Sequence, residues 1–135
     1  MNIDFELEKL QFNQQEADMD MLYDFVDNLE NLPNKREAIP AIFLFMEKNA
    51  DKELGSPGPL VHFIEQESDY HQDLEASLVR NPTPLTVWMA NRILNSLTSS
   101  EKLPWLKILS LVISNDKTNE SVRNEAKTYL DYHKS

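Results

Sequence analysis

The sequence contains no cysteine and only two glycines among its 135 residues. Without cysteine, the chain has no disulfide framework, no thiolate nucleophile and no cysteine-based zinc site. The scarcity of glycine argues against a β fold with many tight turns and favours helices. A chain of this length can bury a core without a structural metal. We therefore expect a single helical domain over residues 1–135, in which residues 1–17 form a weak strand, a short helix or a loose arm.

A long apolar run and a basic amino terminus are also missing. A membrane-spanning helix requires about 18 or more consecutive apolar residues, and the sequence contains no such stretch. The first residues, MNIDFELEKL, are acidic where a signal peptide would be basic and then apolar. These absences predict a cytoplasmic protein in a reducing compartment, without a membrane partner.

Positive charge is scarce near the amino terminus. The chain has a net charge of −10, and residues 1–31 hold nine acidic residues against the single Lys9. Such a surface repels phosphate backbones and anionic lipids, so nucleic acid and membranes are poor partners, whereas a basic protein would be attracted. The alternative is a solvated acidic face that serves only solubility.

The spacing of apolar residues predicts helices in the first half of the chain. Asp18 is placed to cap a helix whose inward stripe recurs at i, i+3, i+4 and i+7, and Pro33 would end it. The stripe consists of Leu22, Phe25, Val26 and Leu29. A second helix would run from Asn34 to about Asn49 with apolar residues around much of its circumference. Pro40 would kink this helix or mark its first turn.

Turn residues divide the second half. The segment GSPGP predicts a helix start at Pro57 or Pro59, and Ser68 is placed to start the next helix. Thr83 is a predicted cap with Pro84 in the first helical position. Two more helices should cover about residues 100–114 and 119–133. Six or seven helices with short connections indicate an all-α fold, either a HEAT- or armadillo-like stack of antiparallel helices or an irregular bundle.

Residues with catalytic or metal-binding chemistry are few. His62 with Glu65, and His71 with Glu67, have helical spacing, but no HExxH or ExxH motif is present. No nucleophile elbow or triad is visible, and the prolines of GSPGP remove amide donors that a phosphate loop needs. The sequence predicts no catalytic residue, no metal and no cofactor, and so not an enzyme. A metal protein built on those two histidines and two glutamates is kept as an alternative.

A polar strip accompanies the apolar stripe on the predicted helix from Pro84 to Leu97. Trp88 and Arg92 are spaced i, i+4, so the guanidinium can lie over the indole. Asn91 and Asn95 lie on the same strip and could hold neighbouring loops. A small-molecule pocket lined by Trp88, Asn91 and Arg92 is a further alternative.

The stretch from Gly55 to Asn95 resembles small all-helical, HEAT-like bacterial immunity proteins of polymorphic toxin and contact-dependent inhibition systems. The resemblance lies in GSPGPLVHFIE, in Tyr70 and in LVRNPTPLTVWMANRILN. Its motif residues are apolar or turn-forming and would define the fold: Gly55, Pro57, Gly58, Pro59, Trp88, Asn91, Arg92 and Asn95.

The resemblance implies an inhibitor that binds a cognate toxin domain, such as a nuclease, in stoichiometric amounts. On that hypothesis, the contacts would be Asp20, Tyr23, Asp24 and Asp27, because close charges speed encounter with a basic toxin and a tyrosine anchors it. The alternative function is a HEAT-like interaction adaptor unrelated to toxins.

Overall fold

The computed structural model of the chain describes residues 2–134, and it confirms the predicted all-α class. Within these residues eight α-helices occur: α1 (Ile3–Glu8), α2 (Met19–Glu30), α3 (Ile39–Lys48), α4 (Pro59–Glu65), α5 (His71–Arg80), α6 (Pro84–Asn95), α7 (Leu103–Ser114) and α8 (Glu120–Lys134). A 3₁₀ helix (Lys35–Ala38) precedes α3. Seven helices correspond to predicted ones, and α1 is the addition.

The beginning of the chain is a short helix followed by a hairpin. Strands β1 (Phe12–Asn13) and β2 (Glu16–Ala17) pair antiparallel, with Phe12 opposite Ala17. The backbone of Glu53 holds the hairpin, because it accepts from Ala17 N at 3.0 Å and donates to the Gln15 carbonyl. Leu7 of α1 and Ala17 are buried.

The chain folds into two compact units, Met1–Asp73 and Leu74–Ser135. In the first unit, α3 packs against α1 and the 3₁₀ helix, and α2 packs against α4. Its core is formed by fully buried side chains from α2, α3 and α4: Leu22, Leu29, Ile39, Ile42, Phe43, Met46, Leu60, Phe63 and Ile64. In the second unit, α8 packs against both α6 and α7, with Met89, Leu94, Leu109 and Ala126 among the buried residues.

Helix starts follow the turn residues in most places. Thr83 and Thr86 form a reciprocal capping box, with Thr86 N donating to Thr83 Oγ1 at 3.1 Å and Pro84 at the first position of α6. Pro59 is the first residue of α4, and Pro40 lies in the first turn of α3. Such positions suit proline because the amide of the first turn has no helical partner.

Two of the predicted helix starts were wrong. Helix α5 begins at His71 and not at Ser68, since residues 66–70 form turns after α4. Asn34 precedes a 3₁₀ helix, and its amide donates to Glu37 Oε2 instead of capping a backbone amide. The predicted span from Asn34 to about Asn49 is a 3₁₀ helix followed by α3, and Pro40 lies in the first turn of α3, which is one of the two roles predicted for it.

None of the helices in residues 2–134 has the length and apolar character that crossing a bilayer requires. The predictions of one domain over residues 1–135 and of a cytoplasmic location stay predictions. So does the choice between a HEAT-like stack and an irregular bundle.

Candidate functional site

Helix α2 is fixed at its start and along its inner side. Asp18 accepts a hydrogen bond from Met21 N at 3.2 Å, which satisfies one amide of the first turn, as the sequence predicts. The predicted stripe faces inward: Leu22 and Leu29 are fully buried, and Phe25 and Val26 nearly so. The apolar side of α2 therefore anchors the helix in the core, and the opposite side faces solvent.

The opposite side of α2 carries the residues predicted to bind a partner. Asp20, Tyr23, Asp24 and Asp27 are all exposed, and 52% of the Tyr23 surface is accessible. Their i, i+3, i+4, i+7 spacing gathers them into one stripe about 10 Å long. We call these four residues the acidic face. The structure thus brings them together on one surface, while their role as contacts stays a prediction.

Four of the five cations of the first unit form ion pairs with carboxylates outside the acidic face. Lys35 pairs with Glu30 at 3.0 Å, and Lys9 pairs with Glu6 at 3.1 Å. Arg36 bridges two carboxylates, Asp69 and Asp73, at 2.8 Å each. Burial by itself would lower the pKa of Arg36. The hydrogen bonds and charges of Asp69 and Asp73 raise this pKa by more than burial lowers it, so the pKa is raised overall.

No carboxylate of the acidic face forms an ion pair within the part of the chain that the structure describes. Three like charges on adjacent turns repel one another, since residues three and four apart are neighbours on a helix. A positively charged partner surface would relieve that repulsion.

The charge of the chain is unequally divided between its two units. Residues 1–73 contain 17 acidic and 5 basic residues, and residues 74–135 contain 6 acidic and 8 basic ones. The first unit therefore carries a net charge of −12 and the second +2. An attractive potential for a cationic partner belongs to the unit that contains the acidic face.

The GSPGP segment forms a tight turn in front of α4. Gly55 and Gly58 have φ values of 115° and 90°, which side chains disfavour. A Cβ atom on Gly58 would lie 2.2 Å from the Leu54 carbonyl oxygen, so the turn requires glycine there. Pro57 is half-buried and Pro59 begins α4. The segment sets the direction of a helix.

The polar strip of α6 is built from contacts inside the second unit. The Arg92 guanidinium lies 5.1 Å from the centre of the half-buried Trp88 ring, which confirms the predicted stacking. Asn91 does not hold a loop as expected, because its Oδ1 atom accepts from His133 Nε2 of α8 at 2.7 Å. Asn95, the last residue of α6, is exposed.

The histidines and glutamates of the metal-protein alternative lie on α4, at the start of α5 and in the turn between these helices. His62 is exposed on α4, and Glu65 is the last residue of that helix. His71 is the first residue of α5, where its ring packs edge-on against Tyr70 at 4.8 Å, and Glu67 lies in the turn between the two helices. Among residues 2–134, no group of three or more His, Asp or Glu side chains is placed to hold a metal ion.

Two features of the structure were missed from the sequence. One is the contact of Asn91 on α6 with His133 on α8, two residues that are 42 positions apart in the sequence. The other is a groove beside α3, where Leu44 is 53% exposed although the sequence suggested burial on several sides. The only signal for the groove in the sequence is that apolar residues occupy much of the circumference of α3, and this does not tell which side stays open.

Comparisons of this chain with protein-family models, with curated proteins and with solved structures found no match. The resemblance of the stretch from Gly55 to Asn95 to immunity proteins is untested by these comparisons and stays a prediction. A functional proposal consequently depends on the geometry and charge of the acidic face.

Proposed function

We propose that this chain is an immunity protein that binds a cognate bacterial toxin domain in stoichiometric amounts and neutralises it. The observation that carries the proposal is the acidic face, a stripe of three exposed aspartates and one exposed tyrosine on α2. Its aspartates have no ion-pair partner among the described residues, so they are available to a cationic surface.

The chemistry of the face suits a basic partner. Unpaired carboxylates accelerate the encounter with a positive surface, and the −12 charge of the first unit extends that attraction beyond contact distance. Tyr23 lies among the aspartates and offers a rigid ring with a hydroxyl group, which is typical of residues that dominate binding energy. A nuclease domain is the toxin class that fits best, because a surface that holds phosphates is basic.

Neutralisation would follow from occupancy of that basic surface. A protein that covers it excludes the nucleic acid substrate by occupying the same charges. This mechanism needs no catalytic residue on the inhibitor, and it gives a complex with one copy of each protein.

A rescue assay tests the proposal. The toxic domain encoded next to this gene is expressed in cells with and without this protein, and surviving cells are counted. We expect full rescue by the native chain and a complex that elutes at one to one. If the native chain does not rescue the cells, the immunity function is rejected. A pull-down of binding partners would then test the adaptor alternative.

A charge-reversal variant tests the face itself. Asp20→Lys, Asp24→Lys and Asp27→Lys together should abolish or strongly reduce rescue. The matched control reverses three exposed acidic residues of the second unit, Asp116, Glu125 and Asp131, and should rescue like the native chain. Equal loss of rescue in both variants would show an effect of net charge and would reject the assignment of the face. Thermal unfolding of both variants checks that they fold.

A further inference from the structure

A groove of about 450 Å³ lies in the first unit, lined by residues of α1, β1 and α3. The large apolar residues of its lining are Leu7, Leu10, Phe12, Leu44 and Phe45. The Phe12 and Phe45 rings stack with centres 6.4 Å apart, so aromatic surface forms part of this lining. The groove is large enough for one or two bulky side chains.

Leu44 is the unusual member of this lining. More than half of its surface, 53%, is accessible, although the other large apolar side chains of α3 after Pro40 are buried or half-buried. Covering an exposed leucine and an open apolar groove with another apolar group is favourable, because it removes apolar surface from water. This arrangement is typical of a binding surface.

Charged residues of opposite sign stand at different places around the groove. Asp4 and Glu8 line it from α1, and their i, i+4 spacing puts both carboxylates on one side of that helix. Lys48 lines it from the end of α3. The only ion pair of α1 in the described residues joins Glu6 to Lys9, so Asp4 and Glu8 have no cation there.

We propose that the groove binds a polypeptide segment of a partner protein that inserts a bulky apolar side chain and places a lysine or arginine against Asp4 and Glu8. The charge pattern selects this occupant: the two carboxylates attract a cation at the α1 side, and Lys48 repels one at the α3 side. The apolar lining supplies the anchor, and the charges set the direction of the segment. The proposal stands on the groove alone and does not use the acidic face of α2.

The probe is a short synthetic peptide in which a central phenylalanine is flanked by lysines on one side and by alanines on the other. Its binding to the full chain is followed by changes in the backbone amide NMR signals, which locate the site. We expect the largest changes in α1, β1 and α3. Replacing the phenylalanine by alanine should weaken binding by about tenfold or more, because the buried ring supplies the anchor. Replacing the lysines by glutamate should abolish binding.

Two variants of the protein sharpen the test. Leu44→Asp should abolish binding, whereas Leu111→Asp, at a leucine of α7 with a similar exposure of 51%, should bind like the native chain. Lys48→Glu should tighten binding of the basic peptide several-fold, since it removes the repelling charge at the α3 side. Both substituted side chains of the groove are exposed, so we expect the variants to fold, as circular dichroism would show.

Several results would overturn the proposal. Signal changes centred on the acidic face of α2 would show general attraction of a basic peptide by an acidic protein. Equal binding of the phenylalanine and alanine peptides would show that no apolar anchor is used. The same amide signals changing with protein concentration alone would assign the groove to a second copy of this chain instead.

Discussion

The buried imidazole of His133 predicts a loss of stability on mild acidification. Only 7% of the residue is accessible, and its Nε2 atom lies 2.7 Å from Asn91 Oδ1. An amide oxygen only accepts, so Nε2 donates and the neutral ring carries its lone pair on Nδ1. Within residues 2–134, this buried Nδ1 atom has no hydrogen-bond partner. Protonation of Nδ1 would therefore create a buried N–H donor without a hydrogen-bond acceptor.

Burial, and secondly the positive charge of Lys102, lower the pKa of His133 below its ordinary value of 6.5. The unfolded chain consequently takes up the proton at a higher pH than the folded protein does. Stability contributed by the neutral ring is fully present above pH 6.5 and is lost as the pH falls toward the folded pKa. The loss is at most about 1.4 kcal/mol per pH unit, because one proton is involved.

The assay compares urea unfolding of the native chain and of His133→Gln at about pH 7.5 and about pH 5.5. Glutamine keeps an N–H donor for Asn91 but does not titrate. Relative to this variant, the native chain should lose up to about 1.4 kcal/mol between the two pH values. An Asn91→Asp variant should reverse the sign, since a carboxylate stabilises the imidazolium. The same pH dependence in the native chain and in His133→Gln would refute the reasoning.

Two further predictions concern the turns that start helices. Gly58→Ala should lower the free energy of unfolding by about 3 kcal/mol or more, because the backbone has a φ of 90° and the new Cβ would lie 2.2 Å from a carbonyl oxygen; native-like thermal unfolding would contradict this. Thr83→Ala should cost about 1–2 kcal/mol in chemical denaturation by removing the capping box of α6, and Thr83→Ser should restore most of it. A loss as large in the serine variant would contradict the capping role.

Helix starts and inward faces could be predicted wherever a local signal exists. Thr83 before α6 and Asp18 before α2 each accept a hydrogen bond from an amide three residues later, and Pro84 occupies the first position of α6. The inward stripe of α2 follows from the helical period alone. The all-α class and the position of the acidic face on α2 followed from these local signals.

Contacts between distant residues could not be predicted in the same way. The hairpin has only two residues in each strand and is held by Glu53, far along the chain, so it leaves no periodic pattern. The pairing of Asn91 with His133 depends on how α6 and α8 pack. The groove beside α3 depends on which part of its wide apolar surface α1 and the hairpin leave uncovered. Periodicity identifies the buried side of a helix, but it does not tell which element packs against that side.

The most direct test of the acidic face measures the association rate of the purified toxin domain with the native chain and with the variant carrying Asp20→Lys, Asp24→Lys and Asp27→Lys. At low salt, we expect the association rate of the variant to be lower than that of the native chain by about tenfold or more. Added salt should reduce this ratio between the two rates, because it screens the charges. The control variant, with Asp116, Glu125 and Asp131 reversed, should associate at a rate close to the native one. An unchanged rate in the acidic-face variant at low salt would contradict the account.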